Sequence, residues 1–280
     1  MEQEPPQTKT EVFRSIDARY LGEYVEFSGL LREYVNDTLS KAFQADPNPG
    51  RRSFHIVSLV QLEYAAYEDA AAILKALISM RQGKTDTVLA VLESYKPGEA
   101  VLASVLDESS AETAEKLYAA LRLEEAIPAD WGSWFPTLDL KKSLVLVSRF
   151  FVEECRTNQK GPGVAAYNKS KHGPLVVSKG DLFHPSLAPV PSMFFANKWP
   201  ARYGRNPIVV YGFPSSDEMI ENRERSIHFV QRSLRLLVAV LLGHIYPTEV
   251  LRRWGSLELM WNSSGLRDVV EFVAEATVKL

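Results

Sequence analysis

The sequence predicts a mainly α-helical protein, a helical bundle with a short antiparallel β-segment inserted before the late helix. Three observations predict it. Long runs of the chain place apolar residues at steps of three and four. Eight of the sixteen prolines fall between Gly161 and Pro214, spaced among short β-favouring runs. The composition, 46% hydrophobic and 24% charged over 280 residues, is that of a chain able to bury a sizeable core.

The elements follow in order. Val12 to Phe43 carries apolar residues at Val12, Ile16, Tyr20, Tyr24, Phe27, Leu31, Val35 and Leu39, which reads as one helical stripe stopped by Asp46-Pro47-Asn48-Pro49-Gly50. Phe54 to Arg81 is a second long helix, rich in Ala and Leu, with Gly83 behind it as a C-terminal cap. Shorter helices are expected over Thr85–Tyr95, Gly98–Leu106 and Ser110–Leu121. Ser109 or Ser110 opens the last of these, and Glu112 and Glu115 sit in its early turns, where the helix dipole favours carboxylates. A Pro and Trp loop, Ile127 to Pro136, leads to a helix over Leu138–Arg156, and a further short helix is expected over Val164–His172. The β-favouring runs are Leu175–Ser178, Ser192–Ala196 and Ile208–Phe213. Ser215 followed by Glu218 has capping-box spacing. Ile220, Ile227, Val230, Leu234, Leu237 and Leu241 carry a stripe through a helix ending near Gly243. Helices around Pro247–Trp254 and Leu266–Thr277 complete the chain. The expected organisation is a flexible leader, 1–10, and a single mainly helical domain, 11–280. Within it, 11–172 supplies bundle helices, 173–214 the β-segment and 215–280 the C-terminal helices.

Composition and charge narrow the function. One cysteine, Cys155, cannot pair within the chain, which fits a reducing, cytoplasmic setting. Cys155 sits beside Phe150, Phe151 and Val152 and reads as an inert thiol. The first ten residues have neither the basic start nor the apolar core of a secretory signal. The most apolar stretch, Leu236 to Leu242, is far too short to span a membrane. A net charge of −3 conceals a division: residues 1–139 hold 13 Lys/Arg and 23 Asp/Glu, residues 140–213 hold 11 and 3, and residues 214–280 hold 8 and 9. The middle segment is therefore +8, either an anion-binding face or a surface that complements the acidic first half. Phosphate-loop, dinucleotide-binding, His-Glu-x-x-His and Cys-x-x-Cys motifs are absent, so common nucleotide hydrolases, dehydrogenases and zinc sites are unsupported. The five histidines are scattered, and no metal or other cofactor is expected.

Chemistry concentrates in Ala165-Ala166-Tyr167-Asn168-Lys169-Ser170-Lys171-His172-Gly173. On a helix Asn168 and His172 lie four apart on one face, and Gly173-Pro174 ends the helix directly behind the imidazole. An Asn and a His held beside Lys169 and Lys171 could bind a phosphate and move a proton to or from a hydroxyl, the requirements of metal-independent RNA cleavage. The alternative is that Asn168 and His172 bond neighbouring backbone and hold the entry to the β-segment in place.

In this run, Tyr167-Asn168-Lys169-Ser170-Lys171-His172 resembles the short motif of the HEPN superfamily (higher eukaryotes and prokaryotes nucleotide-binding), helical bundles that include many metal-independent ribonucleases of toxin, defence and RNA-processing systems. Leu62-Glu63-Tyr64-Ala65-Ala66-Tyr67-Glu68-Asp69 is similar to the acidic, aromatic helix such bundles place early. The resemblance implies a bacterial or phage protein that binds or cleaves RNA, or binds a nucleotide, and acts as a homodimer without inserting into a membrane. His172 would be its acid/base, Asn168 a polar aid, and Lys169, Lys171 or Arg156 its phosphate contacts. Where catalytic members carry Arg, this chain has Tyr167, which lacks the charged planar fork that grips a phosphate. A non-catalytic helical interaction or scaffold module is the alternative.

Three further features stand beside this run. Glu63, Glu68 and Asp69 are expected to orient His172, to pair with Lys141, Lys142 or Arg149, or to face solvent. Lys198-Trp199-Pro200-Ala201-Arg202-Tyr203-Gly204-Arg205 has the mixture of cations and aromatics that stacks bases, or else folds as a loop with its rings inward. Arg223, Arg225, Arg232 and Arg235, alternating with Glu221 and Glu224, describe a solvated helix face.

Overall fold

A computed structural model describes residues 9–23, 29–85, 87–94, 102–127, 129, 139–155, 176–177, 192–198, 209–214 and 217–245. These residues are mostly helical. The helices are α1 (Lys9–Glu23), α2 (Gly29–Ala45), α3 (Pro49–Arg81), α4 (Val88–Ser94), α5 (Leu102–Glu108), α6 (Ala114–Ala120), α7 (Leu123–Ala126), α8 (Leu140–Phe150, running into a π turn, Phe151–Cys155) and α9 (Asp217–Ile245). Strand β2 (Ser192–Lys198) pairs antiparallel with β1 (Val176–Val177) on one side and β3 (Val209–Pro214) on the other, with Met193 opposite Phe213 and Phe195 opposite Tyr211. The helices expected over Val164–His172, Pro247–Trp254 and Leu266–Thr277 lie outside the described residues. Among the described residues no helix is long and apolar enough to cross a membrane.

Helix ends obey local chemistry, which corrects two expectations. The second long helix begins at Pro49, five residues earlier than its apolar pattern suggests. Proline at a first helical position loses nothing by lacking an N–H, and the Asn48 carbonyl accepts the first helical bond from the Arg52 N–H at 3.0 Å. At its other end Gly83 adopts φ +68°. The Lys84 N–H reaches the Ser79 carbonyl at 2.9 Å and the Gly83 N–H the Met80 carbonyl at 3.0 Å, a Schellman closure that glycine enters without steric cost. Ser110 does not open α6. It takes the left-handed conformation, φ 52°, and closes α5 by the same pattern, Ala111 to Leu106 and Ser110 to Asp107. Thr113 caps α6 instead, its hydroxyl accepting from the Lys116 N–H at 3.2 Å.

The stripe from Val12 to Phe43 is divided between α1 and α2, and among its described apolar residues Ile16, Tyr20 and Leu31 are exposed while Val35 and Leu39 are half-buried. Ile16 is 50% exposed and Leu31 66% exposed, whereas the buried side of α1 carries Asp17, Ala18 and Leu21, and that of α2 carries Glu33, Asn36, Ser40 and Phe43. Asp17 explains the rotation of α1. Its carboxylate is fully buried and accepts the first two N–H groups of α4, Val88 and Leu89, at 2.8 Å each, satisfying donors that have no helical partner.

The chain forms two compact units. One contains α1, α4 to α8, residues 68–81 of α3 and residues 230–245 of α9. Its core is densest where α3 and α9 are buried on all sides: Ala70–Leu74 with Ala76–Ile78, and Val230 with Leu234–Leu242, joined by Leu117, Leu144, Val147 and Phe151. Arg235 lies within this stretch at only 2% exposure. The other unit contains α2 from Leu31, residues 49–67 of α3, the strands and residues 217–229 of α9. Its core includes Phe43, Ile56, Leu59, Val60, Tyr64, Tyr67, Ile220 and Ile227.

If Asp17 holds α4 as described, Asp17→Ala will destabilise the protein by about 2 kcal/mol, the cost of removing a cap and leaving buried donors unpaired. Ile16→Ala, one residue away on the exposed face, will change stability by less than about 0.5 kcal/mol. Urea denaturation of both variants measures the contrast; equal losses would contradict the burial pattern.

Candidate functional site

The residues singled out by the motif, Asn168, Lys169, Lys171 and His172 with Tyr167 and Arg156, lie outside the described residues, as do His184 and the Trp199–Arg205 part of the cation and aromatic run. What the described residues do assemble is a polar seam in the second unit, contributed by α2, α3 and α9.

Helical spacing builds one half of it. Glu33, Asn36 and Asp37 on α2 are separated by three and four residues and so share a face, and Glu224 and His228 on α9 are four apart. His228 Nε2 lies 2.9 Å from Asp37 Oδ1, and Nδ1 lies 3.4 Å from Glu33 Oε2. The Asn36 amide donates to the Glu224 carbonyl at 3.4 Å. One ligand atom from each of Asp37, Glu224 and His228 lies within 4.8 Å of the others, a set able to hold a cation.

The other half joins α3 to α9. Arg223 donates through Nη1 to the Glu63 carboxylate, and both side chains are about nine-tenths buried. One helical turn further, the Tyr67 and Ser226 hydroxyls share a hydrogen bond at 2.5 Å. Near the start of both helices Arg52 Nη2 donates to Asp217 Oδ1 at 3.1 Å while its guanidinium covers the Phe43 ring at 4.1 Å. Burial raises the Glu63 carboxyl above the usual carboxylate range, against the opposing pull of Arg223. Burial, then the neighbouring Glu63, pushes the Tyr64 phenol up to about 12, so it stays protonated in any physiological setting.

In the first unit Glu125 on α7 gathers cations. Arg122 Nη2 lies 2.5 Å from its carboxylate, Arg81 Nη2 3.5 Å and His244 Nε2 3.6 Å, and Arg81 Nε donates to the Leu121 carbonyl at 3.1 Å. Burial, followed by Arg81 and Arg122, lowers the His244 pKa below 6.5 although Glu125 pulls the other way.

Comparison with protein-family models, with curated proteins and with the solved structures found no match. The assignment of chemistry therefore rests on this chain alone.

Several expectations change. Glu63 pairs with Arg223, not with Lys141, Lys142 or Arg149; Lys141 donates to Glu124 at 2.7 Å. The arginines of the late helix are not one solvated face: Arg225 is exposed beside Glu221, but Arg223 and Arg235 are buried. The scattered histidines conceal the convergence at His228. The only local signal for it was the pair of four-residue spacings, Glu33 with Asp37 and Glu224 with His228, and nothing in the sequence says that those two faces meet.

Two predictions follow from these contacts. Glu63→Ala will cost about 3 kcal/mol because it strands a buried guanidinium, while the double variant Glu63→Leu with Arg223→Met will recover most of that loss in urea denaturation. The second concerns pH. His244 is harder to protonate folded than unfolded, so its contribution to stability is complete above pH 6.5 and is lost as pH falls through the lowered folded value. His244→Asn will flatten the stability profile over that acid window, measured by thermal melts between pH 5 and 7.5 (roughly the span over which an imidazole titrates).

Proposed function

We propose that this chain binds RNA or a nucleotide and cleaves RNA by metal-independent acid–base chemistry, as a cytoplasmic homodimer. The observation that carries the reading is the run Tyr167-Asn168-Lys169-Ser170-Lys171-His172 inside a segment of 11 Lys/Arg against 3 Asp/Glu. In this reading His172 moves the proton between the attacking or leaving hydroxyl and solvent, Asn168 hydrogen-bonds the reacting group, and Lys169, Lys171 and Arg156 neutralise phosphate charge. A mainly helical chain is compatible with the bundle that the motif resembles. One feature favours a second reading, a non-catalytic helical interaction module: Tyr167 stands where a phosphate-gripping Arg is expected. Leu31 and Tyr34, exposed on one face of α2, are of the type that partner surfaces use.

Purified protein incubated with structured RNA in excess chelator tests the proposal. The wild type is expected to cleave, and His172→Ala to cleave at least about 100-fold more slowly while still binding, because loss of a general acid/base typically costs that much. Tyr167→Arg should raise the rate by restoring the fork. Binding without cleavage by all three forms would support the interaction module; neither binding nor cleavage by any form would discard the RNA reading.

A further inference from the structure

We propose that Arg81, Arg122 and His244 form a binding site for a phosphate dianion, free or as the end group of a phosphomonoester, with the Glu125 carboxylate occupying the site until the ligand displaces it. All four side chains belong to the first unit. Three nitrogens surround a single atom, Glu125 Oε2: Arg122 Nη2 at 2.5 Å, Arg81 Nη2 at 3.5 Å and His244 Nε2 at 3.6 Å. They come from the last turn of α3, the residue before α7 and the last turn of α9, so it is the fold that gathers them. Glu125 Oε2 thus marks a position suited to an anionic oxygen.

One carboxylate does not satisfy this set. Arg122 engages both of its oxygens, donating through Nε to Oε1 at 2.9 Å and standing with Nη2 against Oε2. Arg81 is served less well. Its Nε donates to the Leu121 carbonyl at 3.1 Å, but its Nη2, buried in a side chain only 7% exposed, makes no hydrogen bond among the described residues. Buried polar nitrogens are normally hydrogen-bonded, so this one, 3.5 Å from Oε2, is a separate sign that the site suits an acceptor with more oxygens than Glu125 offers. Burial, then Arg122, lowers the Arg81 guanidinium from its usual value although Glu125 pulls the other way, as expected of a cation with too little negative charge around it.

Charge and shape select the ligand. With the Glu125 side chain turned into solvent, the two guanidinium groups carry a charge that a dianion balances and a monoanionic phosphodiester does not. A tetrahedral phosphate presents separate oxygens to Arg81, Arg122 and His244, whereas Glu125 presents one oxygen to all three. His244 donates through Nε2, as the neutral tautomer with its proton there or as the imidazolium. Access is open from one side: the side chains of Arg122, Glu125 and His244 are 51%, 47% and 33% exposed, and Arg81 forms the floor. Glu125 leaves at small cost, because ion pairs this exposed contribute little. The site is separate in sequence from the motif at 167–172 and does not rest on the RNA reading.

The test is calorimetric titration of the full chain, in low-salt buffer free of phosphate and sulfate, with inorganic phosphate, phenyl phosphate and dimethyl phosphate. Saturable binding of inorganic phosphate alone assigns the free ion, and binding of phenyl phosphate as well assigns the end group; dimethyl phosphate, a diester, should bind at least about tenfold more weakly than either. Arg122→Gln should weaken phosphate binding about tenfold through loss of a charge-assisted hydrogen bond. Glu125→Gln should tighten it at least about threefold by removing the competing carboxylate, a gain that a merely structural ion pair does not produce. Both positions are half-exposed, so far-UV circular dichroism should be unaltered; Arg81→Met removes the buried donor if it folds. His172→Ala should bind phosphate as the wild type does. No saturable binding of inorganic or phenyl phosphate below about 10 mM would overturn the proposal. So would binding left unchanged by Arg122→Gln and Glu125→Gln, binding lost in His172→Ala, or a diester that binds as tightly as the monoester.

Discussion

The buried ion pair between Glu63 and Arg223 sets the register of α3 against α9, and the second unit is organised around it. Neither charge can be left alone out of water, so the two helices are held where guanidinium meets carboxylate. The contacts that follow keep the same order along both chains: Arg52 with Asp217, Glu63 with Arg223, Tyr67 with Ser226. Rising together, they mean that α3 and α9 run in the same direction here. Parallel helices need a long connection, and the chain supplies one in the residues between 81 and 217, strands included. With Arg223 and Ser226 turned toward α3, the next face of α9, carrying Glu224 and His228, is turned toward α2.

The same logic of satisfying buried polar groups explains why α1 and α2 do not bury their most apolar sides. An aspartate that caps another helix yields two charge-assisted hydrogen bonds, whereas an exposed isoleucine forgoes only the transfer energy of one side chain, about 2 kcal/mol. On α2 the buried side is given in part to Glu33, which lies beside His228, and to Asn36, which donates to the α9 backbone. The first unit behaves in the opposite way at its centre. Residues 234–242 of α9 are almost all aliphatic and buried on every side, and burial without regard to direction needs no pairing.

How much of this was legible follows from the range of each interaction. The helices expected over 54–81, 138–156 and from Ser215 to near Gly243 could be placed in outline from periodicity, because a residue's neighbours at three and four positions are fixed by the helix itself. Gly83 as a cap was legible for the same reason: a left-handed turn behind an apolar helix is a local demand. Ser110 and Thr113 were confusable, since both are capping residues within one turn, and only the backbone hydrogen bonds distinguish closing α5 from opening α6. Of the seam, the spacings of Glu33 with Asp37 and of Glu224 with His228 were present in the sequence, but their meeting was not.

The sequence by itself determined that the chain is mainly helical and where several long helices run, because those properties rest on contacts within a few residues. It also determined the chemical inventory, including a basic middle segment and one short run suited to phosphate chemistry. Only the tertiary structure decided that Glu63 would be spent on Arg223, that Asp17 would cap α4, and that His228 would stand among three carboxylates. Those pairings join residues from 70 to more than 190 positions apart. They are selected by the high free energy of a lone charge or donor away from water, a term that appears only when two helices have been brought together.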